Sequence, residues 1–317
     1  MKLSDIMGID PTLEAADRAL EAEAAKERPR GYLGMSSIGD SCSRKLWYQF
    51  RHAGREAFDA ITLKRFADGH RTEDLIIDRL SLVDGLEIVA KLEGGGQIRI
   101  TDHGGHFSGH LDGTVLGLLQ APKAKHVFEV KCCGDKKFNE FKKAVADVGE
   151  KQALRKWNPT YYAQAQCYMH YMGLTRHYIV VATAGGRDWV SARTEYNAAD
   201  ALQLVAKAKR IIYSQEPLER VSNKPDWFEC RFCAFSGICH EQDMPARACR
   251  TCLHSTAMED GTWHCDRWAK TLTLDEQIAA CPTHKFLPSL VPGEVVDSSE
   301  KGITYKMQDG TVWKDSE

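Results

Sequence analysis

One segment in the first third of the chain has a helical pattern of hydrophobic and polar residues. Phe66, His70, Glu73, Ile77 and Leu80 are spaced three or four positions apart, which predicts a helix with all five side chains on one face. Glu73 thus falls on a largely apolar stripe, where a carboxylate needs a cation or hydrogen-bond donors to be stable. The simplest interpretation is a glutamate at the core boundary that pairs with an arginine.

The other patterns predict a mixed α/β chain. Helical spacing and capping residues predict helices at Thr12–Arg28, Ser43–Arg55, Lys64–Leu80, Lys136–Val148, Asn158–Gly173 and Ala198–Gln215. Alternating, β-branched stretches predict strands within Ile98–Lys131, Tyr178–Ala182 and Arg193–Tyr196.

Composition narrows the class of protein. The chain has 317 residues, 43% of them hydrophobic, enough for about two domains. Its longest apolar runs are far shorter than the roughly 18 residues of a membrane span, and its opening residues are acidic, so neither membrane insertion nor secretion is expected. The net charge of -2 neither supports nor excludes a nucleic-acid partner.

There are eleven cysteines, most of them from Cys230 to Cys281. In a chain that is not secreted, such clustering indicates metal ligation rather than disulfides.

Two carboxylates and a lysine have the spacing of a phosphodiesterase site. Asp112 precedes a predicted strand that carries Glu129, Val130 and Lys131. Side chains alternate along a strand, so Glu129 and Lys131 share a face and Val130 points to the other. Two carboxylates can hold Mg²⁺ or Mn²⁺, and a neighbouring ammonium can orient or help to deprotonate a water. A solvated salt bridge between strands would give the same pattern.

A further pair lies on the helix that begins at Asn158, where Gln164 and Tyr168 are four residues apart and share a face. The four short motifs Gly69-x3-Glu73, Gly109-x2-Asp112, Glu129-x-Lys131 and Gln164-x3-Tyr168 follow one another in the chain. In this order the sequence resembles the RecB-like branch of the PD-(D/E)XK nucleases.

The resemblance implies a restriction-endonuclease-like α/β fold, with a central mixed sheet flanked by helices, and a metal-dependent deoxyribonuclease. Asp112 and Glu129 would bind Mg²⁺ or Mn²⁺, with the Val130 carbonyl as a further ligand. Glu73 is assigned as the third side-chain ligand, at a position where many relatives have a histidine. Lys131 would serve the attacking water.

In the same family pattern, Gln164 and Tyr168 contact DNA near the scissile phosphate. The resemblance is best for an exonuclease of phage or bacterial recombination and repair, which would act on DNA ends in the bacterial cytoplasm. A recombinase or a single-strand annealing or binding protein is then a possible partner. The alternative is a non-catalytic module that binds DNA or a protein partner and uses metals only for its shape.

The cysteines allow two assignments. Cys230, Cys233 and Cys239 have C-x2-C-x5-C spacing and need a fourth ligand. Iron-sulfur members of the nuclease branch place one cysteine before the nuclease motifs and three after them, which implies a 4Fe-4S cluster completed by Cys42. In the rival assignment, the first two pair with a later C-x2-C motif in a zinc ribbon: Cys230, Cys233, Cys249 and Cys252.

A cluster at Cys42 would leave a second set of cysteines for zinc. The favoured ligands are Cys249, Cys252, Cys265 and Cys281, with His264 or His284 as substitutes. The expected organisation is an N-terminal helical extension over residues 1–30, a nuclease domain over 31–240, and a zinc module with a tail over 241–317.

Basic residues on both sides of the nuclease motifs are candidates for DNA contacts. They include Arg44 and Lys45, in a stretch that continues to Arg51 and Arg55, and the pair Lys136 and Lys137. Phosphate contacts of this kind would make DNA binding strongly salt-dependent. A solvated helix face would have the same composition.

Overall fold

The computed structural model describes residues 10–92, 94–299 and 302–316, and it confirms the mixed α/β class. The helices are α1 (Pro11–Lys26), α2 (Ser43–Phe50), α3 (Ala60–Leu80), α4 (Asp135–Val148), α5 (Glu150–Trp157), α6 (Pro159–Met172), α7 (Ala198–Tyr213), α8 (Phe228–Arg231), α9 (Ser236–His240) and α10 (Leu274–Ile278). The strands of the first two thirds are β1 (Leu33–Gly34), β2 (Glu87–Val89), β3 (Ile98–Asp102), β4 (Phe107–Leu111), β5 (Gly113–Leu116), β6 (His126–Cys132), β7 (Arg176–Ala182) and β8 (Trp189–Glu195). None of the described helices is both long and apolar enough to cross a membrane.

The central sheet has the strand order β2-β5-β6-β7-β8. Only β6 and β7 are parallel among its neighbouring pairs, so the sheet is mixed. Because side chains alternate, each strand contributes to two cores. Phe128 and Val130 of β6 pack with Ile76 of α3 on one face. The other face packs against α4, α5, α6 and α7, so the sheet is flanked by helices on both sides.

The predicted meander between Ile98 and Lys131 is divided between two sheets. Strands β3 and β4 form a small sheet with β1, whereas β5 and β6 belong to the central sheet. The chain crosses from one sheet to the other at Asp112, the single residue between β4 and β5. This crossing places the first carboxylate of the candidate site beside the central strand β6.

Local capping residues fix the ends of α6, as the sequence predicts. The Asn158 side chain accepts hydrogen bonds from the backbone N–H groups of Thr160 and Tyr161, and Pro159 occupies the first turn. Gly173 ends the helix in the left-handed conformation, with φ of 64°.

Helix α2 is shorter than predicted, and the two arginines that follow it make contacts within the fold. It ends before Arg51, which is fully buried and donates to the carbonyls of Ser214 and Arg250. Arg55 donates to the last carbonyls of α1, including Ala24. The prediction of a DNA contact by Arg51 is therefore wrong, because its side chain is fully buried, whereas Arg55 is exposed and caps the end of α1.

The predicted apolar face of α3 is only half correct. Phe66 is 48% exposed, and His70 is exposed as well. Thr72 and Ile76 are the buried residues in the second half of the helix, where α3 packs against the central sheet. The second half packs against the central sheet, whereas the first half lies against α1, a helix with no buried residue, so the stripe is not buried over its full length.

The C-terminal segment forms two small sheets. Strands β9 (Ser255–Ala257), β10 (Trp263–Cys265) and β11 (Lys270–Leu272) form the first, and β12 (Gly293–Ser299), β13 (Gly302–Met307) and β14 (Val312–Ser316) form the second. Trp263 is fully buried beside two arginines, with the guanidinium carbons of Arg51 and Arg250 at 5.1 and 4.7 Å from its ring centroid. The C-terminal segment therefore shares its core with the preceding domain.

Two tight turns, at Gly104 and Gly261, also bring the C-terminal segment into contact with the preceding domain. Gly104 has φ of 65°, and a Cβ there would lie 2.2 Å from the Gly261 backbone nitrogen. Next to this turn, an imidazole nitrogen of His106 lies 3.0 Å from the Met258 carbonyl oxygen. The backbones of the turns at Gly104 and Gly261 are in direct contact, and any larger residue at position 104 would push them apart.

Candidate active site

Asp112 is held against the central strand of the sheet. Its Oδ2 accepts a hydrogen bond of 2.8 Å from the Val130 backbone N–H. Burial raises the pKa of Asp112 above its ordinary value, against the opposing effect of the Lys131 ammonium. The carboxylate is thus fixed next to the strand that carries the predicted Glu129-x-Lys131 motif.

Glu129 is the most deeply buried acid of the site, with 3% of its surface exposed. Its Oε1 accepts hydrogen bonds from the Lys131 ammonium and from the Gln164 amide, the latter at 2.9 Å. Its Oε2 is buried and has no hydrogen-bond partner. An unpartnered carboxylate oxygen in a buried site is costly, so it marks a position where a ligand would be favourable.

Lys131 lies between the acids and an aromatic ring. Its ammonium contacts Glu129 and lies 5.3 Å from the ring centroid of Tyr161. Burial opposes the shift, but the carboxylates of Glu129 and Asp112 raise the pKa of Lys131 above its ordinary value. The ammonium is therefore held as a charged hydrogen-bond donor to Glu129.

Helix α6 contributes two further groups, as predicted. The Gln164 amide lies 3.1 Å from the Tyr168 hydroxyl, which donates to the His110 carbonyl at 2.8 Å. Both side chains are buried. Tyr161 was not anticipated as part of the site, although its position three residues before Gln164 places it on the same face.

Gly109 has a steric role that the motif alone does not explain. A Cβ at this position would lie 2.6 Å from Cε1 of Tyr168 and 3.0 Å from Cβ of Met35. Only glycine lets the Tyr168 ring approach the backbone closely enough to bond His110. Gly69, the glycine of the first motif, has open space where its Cβ would stand, so packing does not require it.

Glu73 reaches the site from α3, on the face of the sheet opposite to α6. Burial and the charge of Asp112 raise the pKa of Glu73 to about 7. Burial and the same aspartate raise the pKa of Glu129 to about 8. As placed, no three His, Cys, Asp or Glu side chains of the described residues converge closely enough to share an ion. Instead, the carboxylates repel one another, and without a bound cation the repulsion is reduced when one of them takes up a proton.

We expect the metal-free protein to lose stability as the pH rises. The folded pKa values of Glu73 and Glu129 lie above the ordinary value of 4.5. Their stabilising contribution is therefore complete below that value and is lost as the pH rises through about 7 and about 8. Thermal unfolding in chelator should give a lower Tm at about pH 8.5 than at about pH 6, and Mn²⁺ should reduce the difference because it binds the deprotonated acids.

The matched control for this titration is Glu129→Gln, which removes the most deeply buried acid. Its Tm should depend less on pH than that of the wild-type protein. Equal pH dependence of the two proteins would contradict the assignment of the effect to this site.

The four cysteines of the predicted iron-sulfur set line a single cavity of about 450 Å³. They come from both ends of the nuclease region: Cys42, Cys230, Cys233 and Cys239. Cys42 is positioned by Asp40, whose Oδ1 accepts from the Cys42 backbone N–H at 2.9 Å. The preceding Gly39 packs so closely on α6 that a Cβ would lie 2.5 Å from Cα of Thr160.

Arg44 and Lys45, predicted to bind DNA, line this same cavity. Nε of Arg44 donates to the Leu218 carbonyl, and Lys45 forms an ion pair of 2.9 Å with Asp40. The structure thus places both beside the cysteines, and a DNA contact by them stays a prediction. Lys136 and Lys137 are exposed on the first turn of α4, and Lys137 pairs with Glu140.

The other four predicted ligands line a second cavity of about 440 Å³: Cys249, Cys252, Cys265 and Cys281. All four thiols are free. The two C-x2-C motifs of the zinc-ribbon alternative line different cavities. Neither proposed substitute ligand lines the second cavity, and an imidazole nitrogen of His284 instead lies 3.2 Å from the Thr251 hydroxyl.

Among known proteins, the chain is similar only to solved structures, and at low identity. No protein-family model and no curated protein matches the chain. An alkaline exonuclease from Laribacter hongkongensis, LHK-Exo, is 16% identical with a TM-score of 0.40, covering 61% of this chain and 90% of its own. SSO0001 is 15% identical with a TM-score of 0.40, covering 74% and 98%. A phage-related exonuclease from Haemophilus somnus 129PT is 15% identical with a TM-score of 0.37, covering 57% and 89%. Any functional assignment therefore depends on the side chains of the site.

Proposed function

We propose that the protein is a metal-dependent deoxyribonuclease that hydrolyses phosphodiesters at the Asp112–Glu129–Lys131 site. The observation that carries the proposal is the hydrogen-bonded group of Glu129, Lys131 and Gln164, beside which Asp112 is bonded to the Val130 backbone N–H. Two carboxylates, a protonated lysine and an amide donor are the chemistry that an anionic ester and a divalent cation require. A simple solvated salt bridge would not bury Glu129 with one oxygen unpartnered.

The donor set fits Mg²⁺ or Mn²⁺. Asp112 and Glu129 offer carboxylate oxygens, the ligands that hard cations prefer, and Glu73 lies within their electrostatic influence. The Lys131 ammonium now balances the charge of the Glu129 carboxylate. A bound Mg²⁺ or Mn²⁺ would compete with this ammonium for the same carboxylate. When bound, the ion would supply Lewis-acid stabilisation of the phosphate and activation of a water.

The protein groups then have distinct roles. Lys131 would donate to the attacking water or to a phosphate oxygen, because the acids keep it protonated. Gln164 fixes the orientation of Glu129 through its amide. Tyr168 bonds α6 to the backbone at His110, two residues before Asp112. This hydrogen bond fixes the position of α6 relative to the acids.

Among nucleases, an exonuclease of phage or bacterial recombination and repair is the proposed type. This choice is supported by the order of the four sequence motifs, in which the chain resembles RecB-like nucleases. An exonuclease of this type leaves single-stranded DNA, the substrate of a recombinase or an annealing protein, so a protein of that class is the proposed partner.

A 4Fe-4S cluster is the proposed occupant of the first cysteine cavity. Four thiols around one cavity fit the ligand requirement of such a cluster. The cysteines would hold it as a clasp between the segment before α2 and the segment around α8 and α9. The proposed role is structural, and the cleavage chemistry does not involve it.

The enzyme proposal is tested with purified protein, radiolabelled or fluorescent linear DNA, and closed circular DNA of the same sequence. We expect Mg²⁺ or Mn²⁺ to support release of nucleotides from the linear DNA, and EDTA to stop it. The circular DNA should survive, because it has no ends. Cleavage of both substrates would replace the exonuclease by an endonuclease, and DNA binding without cleavage in either metal would favour the non-catalytic alternative.

A further inference from the structure

We propose that the second cysteine cavity is a structural zinc site, which the nuclease proposal neither requires nor explains. As placed, no three of the described thiols are close enough to share an ion, so the four thiolates would draw together around zinc when it binds. The ligands are Cys249, Cys252, Cys265 and Cys281, all of which line the cavity. Three of them are less than 9% exposed, and none forms a disulfide. Cys249 and Cys265 also pack in the main hydrophobic core, but core packing alone does not require four thiols around one cavity.

The four thiols come from separate turns of the C-terminal segment. Cys249 and Cys252 stand at the two ends of a short 3-10 turn, closed by a hydrogen bond of 3.0 Å from the Cys252 N–H to the Cys249 carbonyl. Cys265 ends strand β10, and Cys281 follows α10. Closed zinc sites with four cysteines join short strands and turns in this manner, and their thiolates surround the ion tetrahedrally.

The elements around the cavity are too short to be stable alone. Strands β9, β10 and β11 have three residues each, and α10 has five. A small module with so little regular structure usually depends on a metal or on disulfides. Because these cysteines are free, a metal would add to the stabilisation that the core shared with the preceding domain already provides.

The cavity also carries charge that suits a zinc-thiolate centre. Four thiolates around Zn²⁺ leave a net negative charge, and Arg267 and Lys270 line the same cavity. Lys270 pairs with Glu276, a carboxylate that lines the same cavity, so part of its charge is already balanced. The positive side chains would offset the cost of bringing the thiolates together.

A histidine that sequence spacing did not select stands at the same cavity. His254 lines it, and its buried Nε2 has no hydrogen-bond partner. His264, one of the two substitutes expected from the sequence, does not line it. If one cysteine is replaced, His254 is the group placed to complete the coordination.

The test measures zinc, iron and sulfide in the full-length protein purified without oxygen, together with the visible spectrum after exchange with Co²⁺. We expect a single zinc per chain and the visible bands of tetrahedral cobalt-thiolate coordination. Cys249→Ser should reduce the zinc content at least about tenfold, whereas Cys167→Ser should keep it, because Cys167 is a buried cysteine of α6 outside both cavities.

Cys281→Ser is the second variant, because Cys281 is only half-buried and its replacement disturbs packing less. It should weaken zinc retention against a chelator while His254 remains, and the double variant with His254→Ala should lose the metal. Wild-type protein without zinc, a Cys249→Ser protein with unchanged zinc, or iron in this site would each overturn the proposal. These readouts are separate from DNA cleavage, so failure here leaves the nuclease proposal untouched, and an inactive protein with zinc would leave this one standing.

Discussion

Replacing Lys131 with alanine is expected to slow DNA cleavage by at least about a hundredfold, the usual cost of losing one charged donor at a developing anion. The ammonium contacts Glu129 and stays protonated beside two acids. Its removal takes away the donor for water or phosphate and leaves Glu129 buried without its cation. The measurement is single-turnover cleavage of linear DNA in saturating Mn²⁺, with DNA affinity determined separately in Ca²⁺.

Lys209→Ala is the matched control, because Lys209 is an exposed lysine of α7. It should cleave like the wild-type protein. Lys131→Ala should keep its fold by circular dichroism, and its DNA affinity should change only slightly because the lysine is half-buried in the site. Full activity in Lys131→Ala would overturn the site assignment, and equal losses of binding and cleavage would point to a binding role for the lysine.

The second large effect is expected for Cys42→Ala. If the first cavity holds a 4Fe-4S cluster, one of its four ligands is lost, and the visible colour and the iron should disappear while the zinc stays. We expect the Tm to fall by more than about 5 °C, since about 2 to 4 °C corresponds to each kcal/mol in a domain of this size. The cluster would otherwise tie the segment before α2 to residues almost 200 positions later.

Cys132→Ala serves as the comparison for this variant, because Cys132 is half-buried and lines neither cavity. It should retain iron and colour. Unchanged iron in Cys42→Ala would refute the cluster assignment, whereas loss of zinc together with iron would show that the two centres depend on each other.

Local rules predicted those parts of the fold that depend on neighbouring residues. Asn158 and Gly173 cap α6 by their own chemistry, and alternation along β6 places Glu129 and Lys131 on one face. Helical spacing alone predicts that Gln164 and Tyr168 lie on the same face of α6. These features need no knowledge of distant contacts.

The features that the sequence did not reveal depend on partners far away in the chain. Arg51 looked like a surface residue for DNA, yet it is buried because the Arg250 carbonyl and Trp263 lie against it. No pattern within a window of ten residues contains that information. Phe66 has helical spacing but stays exposed, because the central sheet covers only the second half of α3 and the first half contacts the exposed helix α1.

The stacking of Arg51 and Arg250 on Trp263 also sets an order of events during synthesis. A ribosome makes the N-terminal fifty residues long before it reaches position 250, at roughly 5 to 20 residues per second. Until then Arg51 lacks the carbonyl and the ring that enclose it in the finished molecule. Arg51 is thus among the last residues of the first fifty or so to reach its final environment, and a message truncated before codon 250 would encode a chain that never completes this core.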